Sequence, residues 1–189
     1  MNDQELIRRC RERDRSAQRE LYARTSDAIY RLLLRMTGDA DDAFDVAQDV
    51  YVKVFAGIDR FQGDSDVTTW IYRIAINEAR QLLRRRRRYG DKLREIQSAA
   101  VRETPADAAT AAAVDVREAL ARLPEYERGL IVLRHFNELS YEEMARVLDK
   151  PAGTIASALN RARRMLRDVL DDRVAREAED SAASGHLTG

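Results

Sequence analysis

The chain has 189 residues, of which 35% are charged, 44% are hydrophobic and 6% are aromatic, with eight glycines and three prolines. This composition is typical of an all-helical protein with one or two small domains. The net charge is zero, but the two signs are separated: five aspartates crowd residues 39–49, and five consecutive arginines occupy residues 84–88. Because the distribution of charge matters more to a partner than its sum, neutrality does not exclude nucleic acid.

Several classes of protein are excluded at this point. No apolar run approaches the roughly 20 residues of a membrane helix, and the charged first residues are unlike a signal peptide, so we expect a cytoplasmic protein without membrane insertion. The single cysteine, Cys10, excludes an internal disulfide, and with only His135 and His186 beside it no zinc site is visible. No nucleophile elbow, P-loop or His-based catalytic pattern occurs. We therefore expect no cofactor, no metal and no enzymatic activity.

The first ninety residues predict three helical segments. Residues 6–37 indicate a helix in two pieces, ended by Gly38 in the left-handed conformation that glycine adopts readily. A second helix covers about residues 41–58, with a core stripe formed by Ala43, Ala47, Val50, Tyr51, Val54 and Ile58. Gly63 and Ser65 lie in a polar segment that reads as a loop. A third helix starts at Thr68 and continues into the arginines.

The remaining residues predict a linker, a second helical unit and a tail. Residues 91–114 lack bulky apolar periodicity and indicate a flexible linker. In the unit 115–172, Pro124 suits the first turn of a helix. Ser140 and Glu143 form a capping box for a short helix over residues 141–148, and a turn then leads to a long amphipathic helix. Residues 173–189 indicate a flexible tail.

The last two predicted helices have the outline of a helix-turn-helix, in which the start of the second helix enters the major groove of DNA. With the apolar residues turned inward, the outward residues are Thr154, Ser157, Asn160, Arg161 and Arg164. Ser and Asn can bond base edges or phosphates, and Arg can read guanine or neutralise phosphate. The alternative is a helical hairpin with a solvated basic face.

A stripe of residues spaced three and four apart runs along the third predicted helix. Its members are Trp70, Arg73, Asn77, Arg80, Arg84 and Arg87. An aromatic residue at the head of a basic stripe suits single-stranded DNA, because bases stack on the ring while cations follow the phosphates. The alternatives are that Trp70 is a core residue and that the arginines form a solvated helix end favoured by the helix dipole.

The acidic segment allows two interpretations. Asp41, Asp42 and Asp45 spell DDxxD, which holds magnesium in terpenoid synthases, but the chain is too short for that fold, shows no second metal motif and has few aromatic residues. Asp45, Gln48 and Asp49 instead favour a face for a basic protein partner, with a plain solvated face as the alternative.

Taken together, these segments resemble a known family. Residues 45–88 are similar to conserved region 2 of the extracytoplasmic-function (ECF) sigma factors, the smallest members of the sigma-70 family, and residues 123–166 are similar to region 4. With residues 19–43, the resemblance covers nearly everything except the linker and the tail. It implies an all-α fold of two small helical domains joined by a flexible linker: region 2 over residues 1–90 and region 4 over residues 115–172.

The resemblance also implies roles for individual residues. Asp45, Gln48, Asp49 and Lys53 match the surface that binds the β′ clamp helices of core RNA polymerase. Phe61, Gly63, Asp64, Ser65 and Trp70 match the elements that capture minus-10 bases of promoter DNA, and Arg73, Asn77, Arg80 and Arg84 would hold the backbone beside them. The helix-turn-helix would read the minus-35 duplex. Further implied partners are the polymerase β flap and an anti-sigma factor.

Two departures and two rivals accompany this hypothesis. Ala156 and Ala158 stand where the recognition helices of the family commonly carry basic residues, which implies weak minus-35 affinity. One rival is a stand-alone helix-turn-helix regulator that uses residues 1–90 for sensing or dimerisation. The other rival is a general single-strand binder. Binding to core polymerase separates all three.

Overall fold

The computed structural model describes residues 3–63, 65–94 and 111–184 of the chain, and all regular structure within these ranges is helical. The first unit contains α1 (Asp3–Arg11), α2 (Arg15–Thr37), α3 (Ala40–Gly57), a 3-10 turn (Ile58–Arg60) and α4 (Val67–Arg94). The second contains α5 (Ala111–Arg122), α6 (Glu125–Ile131), a π-helical turn (Val132–Phe136), α7 (Tyr141–Leu148) and α8 (Ala152–Ser184). The predicted all-α class is confirmed.

Local signals place the first helices where the sequence predicts them. The carboxylate of Asp14 accepts hydrogen bonds from the backbone N–H groups of Ser16 and Ala17, so it caps α2 and separates it from α1. Gly38 ends α2 with a φ of 76°, and its N–H donates to the carbonyl of Leu34. The predicted two-piece helix and its glycine cap are both present.

The core of the first unit lies between α2, α3 and α4. Apolar side chains from all three helices are fully buried there, among them Leu33 of α2, Val50 of α3 and Ile71 of α4. One polar pair is buried with them: the hydroxyls of Thr25 and Tyr51 lie 2.7 Å apart and share a hydrogen bond. This packing fixes one face of α3 and one face of α4 inward, which leaves their polar faces outside.

The second unit is built on the predicted helix-turn-helix. Ser140 accepts from the N–H of Glu143, while the Glu143 carboxylate accepts from the N–H of Ser140, which is the predicted capping box at the start of α7. Asp149 then takes the left-handed conformation with a φ of 51° and ends α7. Ile155 and Leu159 of α8 are fully buried against the preceding helices.

The two units pack against each other and share one continuous hydrophobic core. Gly129 of α6 faces the first unit so closely that a Cβ there would lie 3.8 Å from the side chains of Ile76 and Met36. The neighbouring Arg128 is 6% exposed, and its guanidinium donates to the carbonyl of Met36 at 2.5 Å. The sequence does not predict this interface. An apolar helix face that packs against another unit has the same residue spacing as one that packs within its own unit.

Polar contacts extend the same interface. The Asn137 amide donates to the Tyr72 hydroxyl at 3.0 Å, and the guanidinium of Arg35 lies 4.4 Å from the ring centroid of Phe136. Besides the Met36 carbonyl, Arg128 reaches the carbonyls of Ala121 and Leu123. The two terminal nitrogens of this buried guanidinium thus have three acceptors drawn from both units, whereas its Nε has none within the described part of the chain.

Helical bounds differ from the predicted segment boundaries at three places. Helix α4 continues to Arg94, four residues into the segment predicted as linker, and α5 begins at Ala111, before that segment ends. Helix α8 continues to Ser184, within the segment predicted as flexible tail. Residues 95–110 of the predicted linker and the last five residues lie outside the described ranges. Among the described helices, none combines the length and apolarity needed to cross a membrane.

Candidate nucleic-acid interface

The stripe on α4 begins at a capped helix end. The Asp66 carboxylate accepts from the N–H of Thr68 at 2.7 Å, and Trp70 follows within the first turn. The indole is half-buried and lies against Phe61, with 5.5 Å between ring centroids. Trp70 therefore packs partly on the protein, and the rest of its indole meets solvent. Arg73 and Asn77 are exposed on the same stripe.

Arg80 differs from its neighbours because the second unit covers it. Its guanidinium is half-buried and lies 5.4 Å from the ring centroid of Tyr126 in α6. Burial lowers the pKa of Arg80, the charge of Arg84 acts in the same direction, and Glu125 and Glu127 act against both. An arginine remains protonated under such a shift. Arg80 is thus a charged group held under the second unit.

The arginine run is mostly exposed at the far part of α4. Gln81, Arg84, Arg85, Arg87 and Arg88 line an open cleft together with Glu125 of α6. Arg86 instead forms a salt bridge with Asp42. Burial raises the pKa of Asp42, and the nearby Arg86 opposes that shift. Asp42 of the DDxxD pattern is therefore the ion-pair partner of an arginine.

One residue of the predicted minus-10 loop, Phe61, is buried in the structure. Phe61 is 6% exposed and packs under Trp70, and Arg11 donates to its carbonyl, so this ring supports the indole from the core. Gly63 is exposed with a φ of 77°, and the half-buried Ser65 donates to the carbonyl of Asp66. Asp64 lies outside the described residues.

A cavity of about 390 Å³ lies between this loop and α7. It is lined by Arg60, Gln62, Ser65, Thr69, Trp70, Arg73, Arg146 and Asp149. Arg60 and Arg146 were not predicted as site residues, because Arg60 precedes the loop and Arg146 belongs to the other unit. No local pattern shows that Arg146 approaches Trp70, since only the packing of the units brings them together.

The acidic surface of α3 contains apolar side chains that the sequence reasoning missed. Asp45, Gln48 and Asp49 are exposed as predicted, whereas Lys53 forms a 2.6 Å salt bridge with Glu78 of α4. Phe44 and Val52 are 58% and 69% exposed, four residues on either side of Gln48. The sequence could have indicated their exposure, because both positions lie outside the core stripe predicted for this helix. These residues form one exposed face with carboxylates around two apolar side chains.

The outward face of α8 is polar, as predicted. Thr154, Ser157, Asn160 and Arg164 are exposed, and Arg161 forms a 2.6 Å salt bridge with the buried carboxylate of Glu127. Arg163 donates to His135 at 3.2 Å. Ala156 is partly exposed, but Ala158 is 7% exposed and packs into the core. Of these two alanines, only Ala156 lies on the outward face, where a longer side chain would extend into solvent.

Comparisons with known proteins agree with this arrangement. The chain matches the family models "Sigma-70 region 2" over residues 21–89 and "Sigma-70, region 4" over residues 113–166. It is 35% identical to RNA polymerase sigma-H factor of Pseudomonas aeruginosa, over 89% of this chain and 93% of that protein. It is 32% identical to the ECF RNA polymerase sigma-E factor of Escherichia coli, over 92% and 95% respectively.

Solved structures show the same fold in related chains. The sigma factor RpoE of Bartonella quintana, solved in complex with the anti-sigma factor NepR, superposes with a TM-score of 0.67 at 27% identity, over 81% of this chain and 96% of that one. CnrH, solved in complex with the cytosolic domain of CnrY, gives a TM-score of 0.69 at 26% identity, over 90% and 97%. The chain therefore belongs to the ECF subgroup of the sigma-70 family, whose members are promoter-specific factors for transcription initiation rather than enzymes.

Proposed function

We propose that this sigma factor binds core RNA polymerase through α3, captures the melted minus-10 strand with α4 and its preceding loop, and reads the minus-35 duplex with α8. The observation that carries the proposal is the presence of two exposed DNA-type faces, on α4 and on α8, in separate units of one chain. A stand-alone helix-turn-helix regulator needs only one of them, and a single-strand binder needs only the other.

The α3 face supports the polymerase-binding step. The carboxylates of Asp45 and Asp49 surround Phe44 and Val52, and both apolar side chains are exposed without a partner in the described part of the chain. Interfaces of this kind combine an apolar centre with a charged rim, and the rim selects a partner of opposite charge. A basic, partly apolar helix fits this face. Lys53 lies on the next turn and pairs with Glu78 of α4, but half of its side chain stays exposed, so it keeps its place in the proposed polymerase contact.

The α4 face supports minus-10 capture. Trp70 offers an indole held from behind by Phe61, and Arg73 and Asn77 follow on the exposed side of the next turns. A fixed aromatic ring loses little freedom when a base stacks on it, while the arginines neutralise the phosphates of the strand. Phe61 therefore acts as the support of the stacking residue and not as a stacking residue itself.

The α8 face supports minus-35 reading. Ser157 and Asn160 can bond base edges, and Arg164 can neutralise phosphate. A chain that engages both promoter elements at once gains affinity from the second contact, since the tether raises its effective concentration. Anti-sigma regulation is a further part of the proposal, supported by the relatives RpoE and CnrH, which were solved with NepR and CnrY.

The test is run-off transcription with purified core polymerase and a panel of promoter fragments. The sigma function requires transcripts that start at a defined position and that depend on this chain. A gel shift without initiation would support the helix-turn-helix regulator instead. Binding to single strands without any association with core polymerase would support the single-strand binder.

A further inference from the structure

Helix α1 carries none of the residues in the proposed binding faces, yet its end lies against the segment that leads to the minus-10 loop. The match to sigma-70 region 2 starts at residue 21, so it does not include α1. One side of α1 packs into the core through Leu6, Ile7 and Cys10. The end of α1 and the turn after it carry two arginines, Arg11 and Arg13, whose guanidiniums reach that segment.

The segment that accepts these guanidiniums is the end of α3 with the 3-10 turn after it. At a helix end such as this one, carbonyl groups lack partners within the helix. Arg13 donates to the Phe55 carbonyl at 2.8 Å and to the Asp59 carboxylate at 3.1 Å. Arg11 donates to the Phe61 carbonyl. The two arginines therefore hold the segment at both of its ends.

The anchor at Phe61 is directly connected to the proposed stacking residue. The Phe61 ring lies against Trp70, with 5.5 Å between ring centroids. Gln62 and Gly63 continue the loop, and together with Arg11 they line a cavity of about 330 Å³ between α1 and the loop. A displacement of the Phe61 peptide would therefore move both the ring behind the indole and the start of the loop.

The backbone of Arg13 gives a second indication that its side chain is used. Arg13 has a φ of 62° and follows α1 at the position where many helices end in a glycine. The N–H of Asp14 donates to the carbonyl of Arg9 at 3.1 Å, which closes this turn. Glycine adopts the left-handed conformation without strain, whereas arginine does not. The contacts that its side chain makes with α3 and the 3-10 turn account for an arginine at this strained position.

We infer that Arg11 and Arg13 are positioning residues for minus-10 recognition, which hold the Phe61 peptide and the following loop in one arrangement from α1. A binding loop that is already ordered loses less freedom when its ligand arrives. Neither arginine is required to touch DNA in this role. The inference rests on the proposed function, because it takes the loop and Trp70 to be the minus-10 reader.

Two variants of the full-length chain remove these anchors with separable effects on stability. Arg11→Ala removes the hydrogen bond to the Phe61 carbonyl. Arg13→Gly removes exposed contacts but relieves the strained backbone, so its melting midpoint should stay close to that of the parent. Arg19→Ala is the matched control, because it removes an exposed arginine of α2 that donates to the Arg15 carbonyl in its own helix.

The first measurement uses the free chain. Trp70 is the only tryptophan, so intrinsic fluorescence reports on this position alone. Acrylamide should quench Arg11→Ala and Arg13→Gly more strongly than the parent and Arg19→Ala, because a looser loop opens the indole to the quencher. Unchanged quenching in both anchor variants would overturn the inference. This result needs neither DNA nor polymerase, so it is independent of the proposed function.

The second measurement uses the holoenzyme on a duplex promoter and on the same promoter with one minus-10 base changed. Initiation by each anchor variant should fall about tenfold on the unchanged promoter, as expected for the loss of a charge-assisted hydrogen bond. Discrimination between the two promoters should fall as well, which a loss of folded protein would not cause. Affinity for core polymerase should match that of the parent, because the α3 face is unaltered.

The outcomes separate the inference from the proposed function. Parent-like discrimination by both anchor variants would overturn the inference, even where the amount of transcript falls, because the arginines would then only stabilise the fold. A parent chain that does not initiate with core polymerase would contradict the proposed function and the inference with it.

Discussion

The orientation of several side chains in this protein is set by a neighbouring residue that packs against them or pairs with them. The Trp70 indole packs on Phe61, and the Lys53 ammonium pairs with Glu78 at 2.6 Å while half of the lysine side chain stays exposed. Arg161 is directed by the buried carboxylate of Glu127. The residues that make contact with solvent therefore depend on neighbours in other helices, and substitutions must distinguish a direct contact from a support.

The acidic face of α3 can be tested with one charge reversal. Asp49 is exposed and forms no hydrogen bond within the described part of the chain, so Asp49→Arg should leave the fold intact. It would place a cation opposite the basic partner proposed for this face. We expect affinity for core polymerase to fall at least about thirtyfold, as for the loss of a hot-spot residue. Asp171→Arg is the control, and unchanged co-elution of Asp49→Arg with core polymerase would exclude this face.

The indole of Trp70 can be tested on two templates. Trp70→Ala should impair open-complex formation on duplex promoter more than on a template already unpaired at the minus-10 element. Stacking of one base contributes about 1–3 kcal/mol, so the duplex defect should be about five- to a hundredfold. Because Trp70 also packs on Phe61, Trp70→Phe serves as the control for that support and should recover part of the activity. Equal defects on both templates would make Trp70 a structural residue only.

The buried hydroxyl of Tyr51 should make the stability of the folded chain fall at alkaline pH. Burial raises the pKa of Tyr51 to about 12 from its ordinary value of 10. The neutral phenol is favoured in the folded state, so this contribution to stability is complete below pH 10 and is lost as the pH rises towards 12.

Urea unfolding of the parent and of Tyr51→Phe, followed from pH 7 to 12, checks this expectation. At neutral pH the variant should lose about 1 kcal/mol with the hydrogen bond to Thr25, whose hydroxyl keeps the Leu21 carbonyl as its partner. Above pH 10 the difference between the two proteins should shrink. A constant difference over the whole range would show that Tyr51 titrates normally.

At the scale of the helices, the sequence predicted what depends on neighbours along the chain. The glycine cap of α2, the capping box of α7 and the inward stripe of α8 are all present, because each is set by residues within a few positions. The exposed face of α8 follows from the same periodicity. The π-helical turn at Val132–Phe136 was not predicted, since it lies within a continuous apolar run that reads as ordinary helix.

Contacts between units could not be predicted in this way. Gly129 and Arg128 look like a weak helix position and a surface cation in the sequence, yet both are buried where α6 meets the first unit. The resemblance assigned Phe61 to the elements that meet DNA, and the sequence did not indicate that its ring is buried against Trp70. Packing between residues far apart in the sequence decides which helix face is covered by the other unit.

The recognition surface of α8 can be tested by adding one cation. Ala156 is partly exposed on the first turns of α8, next to Ser157, where a long basic side chain could reach a phosphate at the groove edge. Ala156→Lys should strengthen binding to duplex DNA at low salt for cognate and scrambled sequences alike. One added phosphate contact should steepen the slope of log affinity against log salt concentration by about 0.9.

A matched substitution distinguishes base reading from backbone contact on the same helix. Asn160→Ala should reduce discrimination between cognate and scrambled duplexes with little change in the salt slope, if Asn160 bonds a base edge. Both variants are measured in the full-length chain, because α6 and α7 share a core with the first unit. If Ala156→Lys changes neither affinity nor slope, this face of α8 does not meet DNA.

At the scale of the whole molecule, the contacts between the two units and the proposed binding of promoter DNA favour different arrangements of those units. Packing through Arg128, Gly129 and Asn137 joins the second unit to α2 and α4 and leaves Arg80 half-buried, whereas the proposed reading of both promoter elements would need the whole α4 stripe to be accessible. Interfaces between the domains of one chain commonly resemble transient protein–protein interfaces. Core polymerase supplies such a surface under the proposed function, so the closed chain and the initiating chain would be two states of one equilibrium.

A reversible covalent lock can separate these states. Arg35 and Phe136 touch across the interface, with the guanidinium 4.4 Å from the ring centroid, and neither belongs to a proposed binding face. Arg35→Cys/Phe136→Cys can be joined by a short cleavable bismaleimide. The only natural cysteine, Cys10, is fully buried, and burial raises the pKa of its thiol, so it should stay protonated and unreactive.

We expect the joined chain to lose at least about tenfold in run-off transcription, because the closed form cannot release α4. Cleavage of the linker should restore initiation, and each single cysteine variant treated with the reagent should initiate as before. Full activity of the joined chain would show that promoter reading does not require the two units to separate.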